Sequence, residues 1–65
     1  MAEMATDAIR KAFADLTAQL EDAALIAAQG QGIENIYEAR RYSKRLAAAA
    51  GRIGQRLRRL ERRLK

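Results

Sequence analysis

The chain has 65 residues, of which 32% are charged, with a net charge of +5 and neither cysteine nor histidine. A chain of this length makes one domain and buries only about 60% of the surface that its unfolded form exposes. The absence of Cys and His excludes disulfides and the usual zinc ligands, and it removes the commonest catalytic nucleophiles and general bases. We therefore expect a non-enzymatic protein with no cofactor or metal, stabilised by association with another subunit.

No apolar run approaches the roughly 18 residues that a membrane-spanning helix needs. The first residues include Glu3 and Asp7 instead of a basic segment followed by an apolar one, so a secretory signal is not expected. We expect a cytoplasmic protein without a membrane span.

The first predicted helix covers about residues 3–29. Its apolar residues recur at alternating steps of three and four, which is the spacing of helices that pack along a seam. Thr6 is a candidate N-cap for a shorter version of this helix. The row consists of Thr6, Ile9, Phe13, Leu16, Leu20, Ala23 and Ala27.

The segment Gln29-Gly30-Gln31-Gly32 is the strongest break in the chain and predicts a turn at residues 30–34. We expect Gly30 or Gly32 to adopt the left-handed conformation that ends many helices. The next helix should start between Ile33 and Ile36, with Asn35 as a candidate N-cap.

The second predicted helix covers about residues 35–64 and carries an apolar row with the same steps. Gly51 and Gly54 interrupt it, each at a cost of about 1 kcal/mol in a helix interior, so a three-helix arrangement is the main alternative. We favour one helix because the apolar spacing continues through both glycines. The row consists of Ile36, Ala39, Ser43, Leu46, Ala50, Ile53, Leu57, Leu60 and Leu64.

The two rows match if the chain folds back into an antiparallel coiled-coil hairpin of all-α class. The predicted register places Leu20 opposite Leu46 and Phe13 opposite Ile53. Small and apolar residues flank both rows, where a two-stranded coil normally has charges, so we expect dimerisation into a four-helix bundle or docking of the hairpin on a larger partner. The residues expected in this core or oligomer seam are Ile9, Phe13, Leu16, Leu20, Leu46, Ala50, Ile53, Leu57 and Leu60.

Charge is divided unevenly between the two halves. Residues 1–29 hold five acidic residues against two basic ones, a net of −3, and residues 30–65 hold eleven basic residues against three acidic ones, a net of +8. Opposite net charges favour antiparallel pairing of the two helices.

An arginine-rich face of the second helix is the candidate binding surface. The planar guanidinium group suits bidentate contacts with phosphate, so nucleic acid is the first expected partner. An acidic protein surface, in a larger assembly that this chain would join as a structural or adaptor subunit, is the second. The third interpretation is that this face has no partner and only keeps the protein solvated. The surface residues are Arg41, Lys44, Arg45, Arg52, Arg56, Arg58, Arg59 and Arg62.

Other polar residues have simpler interpretations. Ser43, the only serine, falls on the apolar row, and we expect it to be a packing residue. Tyr37 and Tyr42 lie beside the first arginines, where rings stack on bases or, as we prefer, cover the edge of the bundle. Two carboxylate pairs, Glu34 with Glu38 and Glu3 with Asp7, are too few ligands for calcium.

Overall fold

The computed structural model describes the backbone of residues 2–65 and the side chains of residues 6–65. Helix α1 spans Ala2–Gly30 and helix α2 spans Ile36–Leu64, with residues 31–35 connecting them. Within this described part the chain forms no strand, and α1 packs against α2. The predicted all-α helical hairpin is confirmed.

Helix α1 ends in tight turns of helical sense. The amide of Gln31 donates to the carbonyl of Ala28, and the amide of Gly32 donates to the carbonyl of Gln29, each at 3.1 Å. These bonds span three residues, as in the 3₁₀ turns that close many α-helices. No described residue has a positive φ, all four glycines included, so the expected left-handed glycine is wrong.

Helix α2 begins with a side-chain cap, and the prediction of Asn35 as its N-cap is confirmed. The side-chain oxygen of Asn35 accepts a hydrogen bond from the amide of Glu38 at 2.9 Å. In return, the Glu38 carboxylate accepts one from the amide of Glu34 at 3.0 Å. The amide of Glu38, which has no partner within the helix, is thereby satisfied, and the amide of Glu34 before the cap also gains a partner. Thr6 does not cap α1, because that helix already begins at Ala2.

Gly51 and Gly54 lie inside one uninterrupted helix, which excludes the three-helix alternative. At Gly51 an added Cβ would meet no atom within 4 Å, whereas at Gly54 it would lie 3.9 Å from an Arg58 guanidinium nitrogen. Gly51 therefore lowers the stability of α2 without any compensating contact within the chain.

We expect Gly51→Ala to raise the free energy of unfolding by about 0.5–1 kcal/mol, because alanine loses less backbone entropy in a helix. Urea unfolding followed by circular dichroism measures this change. Ala48→Gly, at an exposed position about one turn earlier in α2, is the matched control and should lower stability by a similar amount. A Gly51→Ala variant that is less stable than the parent protein would mean that other atoms pack closely against this position.

The helices pack in a different register from the predicted one. The Asp15 carboxylate lies 3.4 Å from the Arg56 guanidinium, and a Cβ on Gly30 would lie 3.9 Å from the Cβ of Tyr42. The predicted register would have placed Ile36 opposite Gly30, about six residues away. Helix α2 therefore starts beyond the end of α1, and the long dimension of 53 Å exceeds the length of about 44 Å of a 29-residue helix.

The contact between the helices is narrow. Leu16, Ala49 and Leu60 are each 5% exposed and form the buried core of the described residues. Around them lie half-buried residues of both helices, listed from α1 to α2: Ile9, Ala12, Gln19, Ala23, Ile26, Ala39, Tyr42, Leu46 and Ile53.

Only part of the predicted seam therefore lies between the helices of one chain. Phe13, Leu20, Ala50 and Leu57 are exposed and lie outside the contact between α1 and α2, so their place in a core or oligomer seam stays a prediction. The other five predicted seam residues lie in the contact or border it: Ile9, Leu16, Leu46, Ile53 and Leu60.

Candidate nucleic-acid interface

The longest stretch without an acidic residue in α2 runs from residue 39 to residue 60, between Glu38 and Glu61. Eight Lys and Arg residues lie within it, and it spans about 33 Å of helix. The side chains are held on one rigid element because α2 continues through the whole stretch. Seven of these residues, all except Arg40, form the basic surface together with Arg62, which follows Glu61. The basic surface consists of Arg41, Lys44, Arg45, Arg52, Arg56, Arg58, Arg59 and Arg62.

All eight residues of the basic surface are exposed. Arg56 alone among them forms an ion pair within the described residues, with Asp15, and the side chains of this pair are each 47% exposed. An ion pair so open to water contributes at most about 1 kcal/mol to stability. The remaining guanidinium and ammonium groups lie in solvent, where an anionic ligand can reach them.

A cleft between the helices adjoins one end of the basic surface. It has a volume of about 340 Å³, and Ala12, Leu16 and Leu60 contribute apolar side chains to it. Its charged lining consists of four cations and one carboxylate: Lys11, Arg56, Arg59, Arg63 and Asp15. The excess of positive charge makes this cleft suited to a phosphate group or a carboxylate.

Sequence reasoning did not include Lys11 or Arg63 in the candidate site. Lys11 lies on the acidic helix, so only the fold brings it beside Arg56 and Arg59. Arg63 lies at the basic C-terminal end of α2, and the register of the hairpin determines that it lines the cleft. Both residues could be assigned to the site only once the register was known, because the register places Lys11 of α1 beside Arg59 and Arg63 of α2.

The two tyrosines occupy different environments. Tyr42 is half-buried beside α1, and the guanidinium carbons of Arg41 and Arg45 lie 5.9 and 5.8 Å from its ring centroid. These distances are within the range of cation–π interactions, so Tyr42 helps to orient two arginines of the basic surface. Tyr37 is 77% exposed near the start of α2 and is accessible for stacking.

The other polar residues do not assemble into a metal site in the described part of the chain. Ser43 is exposed and lines a small cleft of about 210 Å³ to which no charged side chain contributes. Glu38 is engaged in capping through its bond with the amide of Glu34. No group of three or more acidic side chains comes together among the described residues, and the pair that includes Glu3 lies outside the described side chains.

No protein-family model, no curated protein and no solved structure matches this chain. Neither helix, over its described residues, combines the length and the apolar character that crossing a membrane requires. The geometry and charge of the hairpin are therefore the observations from which its function is inferred.

Proposed function

We propose that this protein binds the phosphate backbone of nucleic acid through the basic surface of α2, as a non-enzymatic regulator or architectural factor. The observation that supports this most directly is the exposure of all eight cations of the basic surface, seven of which lie between Glu38 and Glu61. Each contact between one of these cations and a phosphate releases condensed counterions, so the salt dependence of binding becomes steeper as the number of contacts rises.

Composition favours double-stranded over single-stranded ligands. Binding of single strands relies on aromatic side chains that stack on successive bases. After Tyr42 the sequence has no aromatic residue, and Tyr42 itself is half-buried. A straight helix with phosphate-binding side chains instead suits the regular backbone of a duplex. Such binding has little preference for base sequence, because phosphate contacts carry no sequence information.

Fluorescence anisotropy with a labelled duplex of about 24 base pairs tests this proposal, in salt from about 50 to 300 mM. We expect the logarithm of the binding constant to fall against the logarithm of salt concentration with a slope of about −5 to −7 for six to eight contacts. A scrambled duplex should bind equally well. The proposal is wrong if the duplex does not bind at the lowest salt, or if the slope is flatter than about −2.

A structural or adaptor role is the second candidate, and the cleft between the helices favours it. The cleft combines cations such as Lys11 and Arg59 with the apolar side chains of Leu16 and Leu60, which suits an acidic protein segment with an apolar residue. A pull-down with and without nuclease separates the two functions. A protein partner that is retained after nuclease treatment supports the adaptor role, and loss of all captured material supports nucleic-acid binding.

We further infer that the hairpin works as a dimeric four-helix bundle and that it works in the cytoplasm. The support for association is the narrow core of the hairpin, in which three of the residues with described side chains are buried. The cytoplasmic location is inferred from the proposed ligand and from the absence of cysteine.

A further inference from the structure

Several large apolar side chains of the hairpin are exposed to solvent. Phe13 and Leu20 on α1 are 54% and 55% exposed. On α2 the corresponding residues are Ile36, Leu57 and Leu64, with exposures of 60%, 42% and 57%. Single exposed leucines are ordinary, but a contiguous group of this size normally marks an interaction surface.

These side chains lie in two straight rows. Phe13, Leu20 and Ala27 are seven residues apart on α1, and a seven-residue spacing keeps residues on one face of a coiled helix. The row on α2 has the same spacing and continues from end to end of the helix. It consists of Ile36, Ser43, Ala50, Leu57 and Leu64.

Both rows lie on the same side of the hairpin. Leu20 follows Leu16 of the contact by four residues, and Leu57 follows Ile53 of the contact by four residues. On each helix, counted from its N-terminus, the exposed row is therefore displaced around the helix axis from the contact residues in the same rotational sense. Because the helices run in opposite directions, equal rotations bring both rows to one side, which we call the apolar side.

The cleft lined by Lys11, Asp15 and Arg59 lies on the opposite side of the hairpin. Asp15 lies four residues before Gln19 of the contact, and Arg56 lies four residues before Leu60 of the contact, so both are rotated in the other sense. The hairpin therefore has one apolar side and one charged side.

The apolar side is large enough for a stable protein interface. Two helices about 44 Å long, each about 10 Å wide with its side chains, present roughly 900 Å² on one side. Monomeric proteins rarely expose contiguous apolar patches of more than a few hundred Å². A standard interface buries about 800 Å² on each partner, so covering this side reaches that size.

We propose that a second copy of this chain covers the apolar side, with α2 of the second copy lying on α1 of the first and both connections at the same end. Charge favours this pairing, since residues 1–29 carry a net of −3 and residues 30–65 a net of +8. The alternative two-fold arrangement places the two α2 helices side by side, where like charges repel. Side-chain size agrees with the proposed pairing, because it brings the bulky Leu20 to the small Ala50 and Gly54 of the second copy.

This inference rests on the dimeric bundle proposed above and specifies its interface and orientation, and it does not depend on nucleic-acid binding. The apolar side contributes to association whether or not the basic surface has a ligand, and the mass of the free protein can be measured in high salt, where phosphate contacts are weak. Failure of one proposal therefore leaves the other intact.

The first test compares two leucines of α1 with nearly equal exposure. Leu20 lies on the apolar side and is 55% exposed, and Leu25 lies away from it and is 59% exposed. Sedimentation equilibrium should show a folded dimer of the parent chain at about 100 μM. Leu20→Glu should raise the dimer dissociation constant at least about tenfold, because its charge loses water in the interface, and Leu25→Glu should leave it unchanged. A folded monomeric parent, or equal effects of both variants, overturns the proposal.

The second test measures the orientation of the two copies without disturbing the interface. The chain has no cysteine, so Gln31→Cys provides a single site for a spin label in the connection. The proposed arrangement predicts a label-to-label distance below about 25 Å in the dimer, given adjacent helices about 10 Å apart. Connections at opposite ends would instead be separated by nearly the full 53 Å of the hairpin, and that result would overturn the proposed pairing.

Discussion

Leu16→Ala should lower the free energy of unfolding by about 2–4 kcal/mol and leave a large fraction of the chain unfolded at 37 °C. Leu16 is 5% exposed and contributes to the same cleft wall as Leu60, so its removal opens a cavity at the centre of the hairpin. A chain of this length has a total stability of roughly 3–10 kcal/mol, so the loss is a large share of it. Urea unfolding at fixed protein concentration, followed by circular dichroism, gives the value.

Leu25→Ala is the matched control, because Leu25 is 59% exposed on the same helix. It should change stability by less than about 0.5 kcal/mol. Leu20→Ala should cost little in dilute protein and more in concentrated protein, since its contacts form only on association. Equal losses for Leu16→Ala and Leu25→Ala would show that the contact between the helices is not the one described.

The apolar spacing predicted the hairpin but not which half of each apolar face turns inward. Ile9, Leu16 and Ala23 belong both to the predicted row and to the row observed in the contact. Between them the predicted row uses Phe13 and Leu20, which are the larger and more apolar choices. The helices of one chain meet instead through the small or polar side chains between those shared positions, and the bulky ones remain outside.

The register could not be derived from the sequence because it depends on the path of the connection. Residues 31–35 carry the chain past the end of α1, so that Gly30 lies level with Tyr42. Hydrophobic spacing repeats every seven residues and is satisfied by registers that differ by about one repeat. The cap at Asn35, in contrast, was predictable, because it depends only on neighbouring residues and their hydrogen bonds.

The candidate site was predictable where it depends on one helix and unpredictable where it depends on two. The exposed positions of Arg52 and Arg58 follow from the helical repeat of α2 alone. The pairing of Arg56 with Asp15 and the presence of Lys11 in the cleft follow only from the observed register. Long-range contacts of this kind have no signal in a single sequence.

The separation of the two sides has a functional consequence. The apolar side lies away from the cleft that Arg59 and Arg63 line, so a second copy can cover it without shielding the charged side. A dimer then presents two basic surfaces, each on a rigid helix. Two linked surfaces bind a long anionic polymer more tightly than one, because the second contact is intramolecular.

Changing Arg52, Arg58, Arg59 and Arg62 together to Gln should weaken duplex binding by roughly 100-fold at low salt. Each lost phosphate contact makes the salt slope less steep by about 0.9, so the four changes should reduce its magnitude by about 3–4. Glutamine has a helix propensity close to that of arginine, so α2 should remain helical, which circular dichroism checks. Anisotropy titrations at several salt concentrations measure both the affinity and the slope.

A pair of single variants controls for net charge. Arg58→Gln removes one charge from the basic surface, and Arg10→Gln removes one from α1, where Arg10 lies 3.7 Å from Asp7. If binding follows contacts on α2, Arg58→Gln reduces the magnitude of the slope by about 0.9 and Arg10→Gln leaves it nearly unchanged. If the two variants behave alike, the ligand responds only to total charge.

The fourfold variant decides whether the basic surface is the binding site, because no other surface of the hairpin carries comparable positive charge in its described residues. If this variant binds as tightly as the parent, the basic surface of α2 is not the binding site.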